Sequence, residues 1–245
     1  MSSYYDQHEY DIHCEWGLAG ISQLLSSSKV IVIVDVLSFS TSVDIAVGNG
    51  AIVYPYRGNE KSAARYAHSL QAVLAKFGRE NSTGYSLSPA SLMRILEGTR
   101  LVLSSPNGAS LSLATGSVPT FSGCLRNARA VAQTAQKMDK RIGIIPAGER
   151  WKDGSLRPAL EDFIGAGAII NNLNGTCSPE AEAAEAIYLQ MRATLTENLQ
   201  RCSSGKELIG RSQAKDVELA AALNQSHSTP LLIDGAYRNK PDHSL

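Results

Sequence analysis

The sequence predicts an α/β protein, a single layered domain over residues 1–245 with a largely parallel or mixed sheet flanked by helices. Three observations predict it. Residues 30–34, 101–103 and 142–145 are apolar throughout, as strands buried on both faces must be. The segments between them place apolar residues at helical spacing. Each apolar run then gives way to small, polar or charged residues, the pattern of strand ends that line a ligand crevice.

The elements follow in order. The β-branched run 30–34 is a strand. Over residues 61–77, Ala63, Tyr66, Ala67, Leu70, Val73, Leu74 and Phe77 share one stripe and predict a helix. Ser88-Pro89 predicts a helix start, with the Ser hydroxyl as N-cap and Pro in the first turn; the helix runs on through residues 92–96 and stops at Gly98. Strand 101–103 comes next. Leu125, Ala128, Val131, Ala132, Ala135 and Met138 mark another helix, ending near Lys140-Arg141, before strand 142–145. Pro158 is expected at the first position of the following helix, with Glu161 and Asp162 in its first turn, where the helix dipole favours anions. Gly165-Ala166-Gly167-Ala168 makes that helix slim enough to pack closely on the sheet. Ser178-Pro179 starts a longer helix reaching Leu199, and residues 230–233 read as a last strand. Residues 81–84 and 171–178 are loops. No repeat, low-complexity tract or linker divides the chain.

Composition bounds the function. Hydrophobic content of 43% and charged content of 19% are those of a globular protein. Equal numbers of basic and acidic residues, 23 each, remove the electrostatic footprint of a nucleic-acid binder but leave room for a local anion site. The first nine residues lack the features of a secretory signal, and no apolar run reaches the ~18 residues needed to span a bilayer. The four cysteines, Cys14, Cys124, Cys177 and Cys202, form no CxxC pair, so reduced thiols in a cytoplasmic protein are expected. The expected partner is a small molecule, not nucleic acid or a membrane; a homo-oligomer is left open.

The chemistry gathers at three strand ends. Ser105-Pro106-Asn107-Gly108-Ala109 offers a hydroxyl, an amide and the Gly108 N–H as a phosphate cradle, although Pro-Asn-Gly is also a good turn. Asp35 emerges behind the 30–34 run and is followed by Ser38, Ser40 and Thr41. A capping role competes there with a metal-ligand role, because Mg²⁺ takes one or two carboxylates plus phosphate and water. Ser40 and Thr41 can hold an anion at the start of the next helix. Glu149 follows Pro146-Ala147-Gly148, with Arg150 and Lys152 behind it; a solvated charged loop is the rival reading. Arg150 and Arg157 are the cations suited to a transferring phosphoryl group. Cys124, after a Gly and before a helix, stands where a thiol pKa is lowered, but Arg126 and Arg129 have the wrong spacing for a Cys-x5-Arg phosphate loop. There is no P-loop, no Arg-His-Gly, and Leu37 stands where a haloacid-dehalogenase-type enzyme has its second Asp. His13, on a strand before Trp16-Gly17, could lie near a site mouth, although such a histidine is more often a hydrogen-bonded structural residue.

These segments, with the stretch from Arg157 through Glu161-Asp162 to Ile169, Ser204-Gly205-Lys206-Glu207-Leu208 and Asp216-Val217, resemble the 2-phosphosulfolactate phosphatase family over roughly residues 10–238. The resemblance implies an Mg²⁺-dependent phosphatase of a small sulfonated hydroxy acid, converting 2-phospho-3-sulfolactate and water into 3-sulfolactate and phosphate. It favours Asp35 at the metal and retains Glu161-Asp162, one of which is expected to face the metal or orient its waters, with Asp162 favoured. Together with the residue reading this gives Asp35, Glu149 and Asp162 as expected metal ligands; Asp35, Glu149 and Arg150 in catalysis; and Ser40, Thr41, Ser105, Asn107, Gly108 and Arg157 at the substrate. The family's first motif usually reads Asp-Val-Leu-Arg-Ala, whereas Ser38-Phe39 stands here. That exchange removes a charge and adds apolar surface, so a bulkier or less charged substrate is expected. Another metal-assisted hydrolase on the same scaffold, or a non-catalytic anion-binding module, are the alternatives.

Overall fold

The computed structural model describes residues 4–76 and 84–240. Its strands are β1 (Ile12–Cys14), β2 (Val30–Val34), β3 (Ile52–Tyr56), β4 (Val73–Leu74), β5 (Arg100–Ser104), β6 (Thr120–Gly123), β7 (Ile142–Pro146), β8 (Glu149–Arg150), β9 (Leu156–Arg157), β10 (Pro230–Ile233) and β11 (Ala236–Asn239). Nine of them form one mixed sheet in the order β1-β7-β2-β6-β10-β11-β3-β5-β4, while β8 and β9 make a separate antiparallel ribbon. Two parallel groups, β1-β7-β2-β6 and β3-β5-β4, are joined by the antiparallel hairpin β10–β11.

Helices cover both faces, which is why β2 is apolar along its whole length. Val30, Val32 and Val34 pack with residues of helices Ala128–Met138, Leu160–Ile170 and Pro179–Met191. Ile31 and Ile33 face the other way, onto Ile21 and Leu24 of helix Gly17–Leu24 and onto Leu111. Helix Phe39–Gly48 is buried on nearly every side, against the inner face of the second strand group. Glycine sets the spacing of helix Leu160–Ile170. A Cβ at Gly165 would lie 2.6 Å from Val36 Cγ2, and one at Gly167 would fall on the Ala184 carbonyl. The slim segment thus serves the sheet on one side and the neighbouring helix on the other.

Pairing parity makes the two parallel groups run in opposite senses along the sheet, yet the ends of β2 and β5 meet. The contact is direct: the Ser105 hydroxyl and the Gly108 N–H, just beyond β5, both reach the Asp35 carboxylate just beyond β2.

Several expected bounds are corrected. The helix expected over 61–77 is Glu60–Ser69: Gln71 takes a left-handed backbone (φ 51°), and Val73–Leu74 pairs with β5. Phe77 and residues 81–83 of the expected loop lie outside the described residues. Helix Pro89–Leu92 is one turn, and the Ser88 hydroxyl donates to Asp216 Oδ1 at 2.7 Å instead of capping it. Pro158 precedes the Ala159 N-cap of helix Leu160–Ile170 and so is not its first residue. The helix expected to reach Leu199 is Pro179–Met191, then a 3₁₀ turn at Arg192–Thr194 and helix Leu195–Arg201; its start at Ser178-Pro179 is as expected, with the Ser178 hydroxyl accepting from the Ala181 N–H.

Candidate active site

The end of β2 is organised around Asp35. Its Oδ1 accepts the Phe39 N–H at 3.2 Å, and its Oδ2 accepts the Gly108 N–H at 2.9 Å and the Ser105 hydroxyl at 3.5 Å. Asp35 is therefore a brace for the following helix and a link to the end of β5 at once. A side chain at Gly108 would fall on the Phe39 ring and within 2.8 Å of Asp35 Oδ2, so the close approach requires glycine. Beneath it, the Ser40 hydroxyl accepts the Asp35 N–H and donates to the Ile33 carbonyl; the Thr41 hydroxyl donates to the Val36 carbonyl. Both residues are fully buried. Their hydroxyls hold the turn, which corrects the expectation that they face a ligand. Phe39 corrects another. Its ring is 0% exposed and packs edge-on to Tyr237 with centroids 6.2 Å apart, so it adds no surface to the site.

A second carboxylate ties β2 to β7. Asp162 Oδ1 accepts the Val36 N–H at 2.7 Å and Oδ2 the Gly148 N–H at 2.9 Å. Gly148 makes the turn with a positive φ of 68°. Burial first, then the charges of Asp35 and Glu161, push the Asp162 carboxyl well above its usual range. Glu149, half-buried, accepts the Asn107 Nδ2–H at 2.8 Å. Burial and the Asp35 charge push its pKa up to about 7, against the lowering effects of the Asn107 hydrogen bond and the Arg157 charge. Glu161 is 2% exposed, and its Oε2 has no hydrogen-bond partner among the described residues. Asp35, Glu149, Glu161 and Asp162 thus bring four carboxyl groups into mutual electrostatic reach at one place.

The two expected arginines divide. Arg157 donates to the Ser204 hydroxyl at 3.0 Å, stands over the Trp151 ring at 5.8 Å and acts on Glu149. Arg150 is exposed, donates to the Gly154 carbonyl at 2.9 Å, and lines two adjoining clefts. The smaller, about 160 Å³, also has Trp16, Asn107 and Glu149 in its wall. The larger, about 770 Å³, is lined by Ser105, Ser110, Arg57, Lys76 and Arg211 among others. Sequence reasoning weighed Glu161 against Asp162 and favoured Asp162; it missed Trp16 and the three further cations. Trp16 carried a signal, an aromatic before a glycine at a strand's end; the cations carried none.

Other candidates fall away from this place. His13 is fully buried, with its ring nitrogens at 2.9 Å from Ser28 Oγ and 2.8 Å from the Tyr10 carbonyl, so it is structural and not at the mouth. The Cys124 thiol is buried and pushed up to about 12, the reverse of the lowered pKa its position led us to expect. Among the described residues, the acidic and histidine ligand atoms that already lie within 4.8 Å of one another belong to Asp6, His8 and Glu9 on the surface. Asp35, Glu149 and Asp162 do not form such a group of three.

With this geometry in place, the similarities to known proteins are informative. A family model described as 2-phosphosulpholactate phosphatase matches residues 20–235. The chain is 28% identical over 208 residues to the 2-phosphosulfolactate phosphatase of Methanothermobacter thermautotrophicus, covering 85% of this chain and 88% of that one. It is 30% identical to a probable 2-phosphosulfolactate phosphatase of Carboxydothermus hydrogenoformans, over 81% of this chain and 84% of the other. A probable 2-phosphosulfolactate phosphatase of Gloeobacter violaceus shares 27%, over 81% and 86%.

Proposed function

The chain belongs to the 2-phosphosulfolactate phosphatase family, and from that membership and the site we propose that it hydrolyses the phosphate monoester of a small hydroxy acid, with Mg²⁺ held by buried carboxylates. The substrate taken is 2-phospho-3-sulfolactate, giving 3-sulfolactate and phosphate. The observation that carries the reading is the cluster of Asp35, Glu149, Glu161 and Asp162, with carboxyl pKa values raised at Glu149 and Asp162 and an orphaned Glu161 Oε2. Buried carboxylates in such number are costly unless a cation joins them.

The donor set fits Mg²⁺, which takes hard oxygen ligands and keeps several waters of its own. Asp35, Glu149 and Asp162 are the residues proposed to hold it, with Glu161 as a further oxygen. When bound, the ion would neutralise phosphate charge and acidify water. The chain's own groups do the rest. Asp35 and Asp162 are fixed by four backbone N–H groups from Phe39, Gly108, Val36 and Gly148, so their orientation is set before substrate arrives. Glu149, hydrogen-bonded to Asn107 and at the cleft wall, takes a proton from the attacking water at its free oxygen. The new P–O bond forms as the ester P–O bond breaks, and the leaving alkoxide takes up a proton from solvent, to which Glu149 then releases the one it took. Arg150 faces the clefts and is suited to the phosphoryl oxygens. Ser105 and Asn107 line the walls on either side of it.

The same reading takes the protein as a cytoplasmic enzyme acting on a small dissolved acid without nucleic acid. Among the described residues no helix is long and apolar enough to cross a membrane. Phosphate release from 2-phosphosulfolactate by purified protein, with and without chelator, tests the proposal. Release without added metal after exhaustive chelation counts against the metal; absence of release in Mg²⁺ counts against the phosphatase.

A further inference from the structure

The larger cleft carries a charge pattern that the hydrolytic step does not use. Arg57 follows β3, Lys76 follows β4, and Arg211 caps the end of helix Ser203–Gly210. Three unrelated connections thus bring three cations to one cleft of about 770 Å³, beside Arg150. No carboxylate lines that cleft among the described residues. The formal net charge of the whole chain is zero, so the patch does not follow from a basic composition. Arg57 and Lys76 have no ion pair among the described residues. Arg211 pairs with Glu207 one turn away at 2.6 Å, an exposed contact of the kind that stabilises a helix only slightly. Packing therefore gives no account of the convergence. Like charges facing one cleft repel, and an anion between them removes the repulsion.

The cleft's position says which anion. Its wall includes Ser105, whose hydroxyl reaches Asp35, and it shares Leu18, Pro106, Ser110 and Arg150 with the smaller cleft that holds Asn107 and Glu149. A phosphoryl group seated at Asn107, Glu149 and Arg150 leaves the remainder of its ester in the wider, cation-lined space. Ser38, only 1% exposed, gives that remainder neither charge nor surface.

We propose that Arg57, Lys76 and Arg211 form a subsite for the acid groups of the substrate other than its phosphate, a carboxylate and a sulfonate, and so select polyanionic phosphate esters over esters with a neutral leaving group. This rests on the phosphatase reading. Arginine grips planar carboxylates and sulfonate oxygens through paired N–H donors, and lysine adds a point charge.

The test compares 2-phosphosulfolactate with phenyl phosphate for the wild-type protein, Arg57→Gln, Lys76→Gln, Arg211→Gln and the triple variant, each checked for native circular dichroism. The ratio of kcat/KM between the two substrates should fall about tenfold in each single variant and at least a hundredfold in the triple, mainly through KM. Raising NaCl from 50 to 500 mM should lower the ratio for wild type much more than for the triple variant. An unchanged ratio overturns the subsite. Calorimetry with 3-sulfolactate separates this result from the phosphatase reading. If no protein hydrolyses either ester, binding by wild type that is lost in the triple variant still supports the subsite. If wild type hydrolyses phenyl phosphate yet binds no 3-sulfolactate, the subsite is overturned and the phosphatase stands.

Discussion

The carboxylate floor and the cation-lined cleft lie side by side and are built by opposite means. Asp35 and Asp162 are nearly inaccessible, and each carries two backbone N–H bonds from separate segments. Arg57, Lys76, Arg150 and Arg211 are exposed, and water weakens their mutual repulsion without removing it. The floor is part of the fold: its charges are desolvated, and its oxygens pin β2, β5 and β7 together. The cleft is an accessory that the fold tolerates. Changes in the floor should therefore alter stability, protonation and chemistry together, whereas changes in the cleft should alter affinity.

The sharpest break in that contrast is Asp35→Asn, which keeps the shape and an acceptor but removes a charge. Activity should fall by about 100-fold or more, as when a group acting on developing charge is lost, and the melting temperature should fall with it, because the new amide nitrogen faces one of the two backbone N–H donors that Asp35 accepts. Loss of folding with residual specific activity intact would make Asp35 a brace alone. Next comes Asp162→Ala, which strands the Val36 and Gly148 N–H groups. Two buried unpaired donors cost about 2–4 kcal/mol, read as a lower urea midpoint; a midpoint equal to wild type would remove Asp162 from the floor.

Protonation gives a third, smaller effect. In the folded protein the Glu149 carboxyl is raised from 4.5 to about 7. A raised folded pKa means that the folded state keeps a proton which the unfolded chain has lost. Its contribution is therefore fully present below the unfolded value and is lost as pH rises from about 4.5 through 7. Metal-free protein should melt at progressively lower temperature across that window, and Glu149→Gln should flatten the decline. Equal slopes would detach the effect from Glu149. Asn107→Ala comes last. It removes a hydrogen bond that lowers the Glu149 pKa, so kcat/KM should fall about tenfold and the acid limb of the pH profile should move to higher pH. Wild-type kinetics would make residues 105–108 a structural turn.

How much of this was legible follows from how local each feature is. The runs of β2, β5 and β7 are apolar because both faces are covered, so they are readable, and their polar ends locate Asp35, Asn107 and Glu149. The extended helix through Phe77 was misread because the Val73–Leu74 pairing with β5 is tertiary and overrides a helical stripe. The strands β3 and β6 were hidden, one by Pro55 and the other by its short, polar Thr120–Gly123 segment. Glu161 and Asp162 are neighbours on one helical turn, and only the structure shows that Asp162 is committed to Val36 and Gly148 while Glu161 keeps an unpaired oxygen. Phe39 faced the core for the same kind of reason: direction along a turn is not written in residue type. Arg57, Lys76 and Arg211 are far apart in the chain, and nothing local foretells that the fold gathers them at one cleft.

The measurement that bears most directly on the central claim is a titration of chelator-treated protein with Mg²⁺ at pH 8, followed by calorimetry and by phosphate release from 2-phosphosulfolactate. Saturable binding that restores hydrolysis in proportion to occupancy, and that is lost in Asp35→Asn, is the expected result. Full hydrolysis in the chelator-treated protein, with no heat of Mg²⁺ binding, would contradict it.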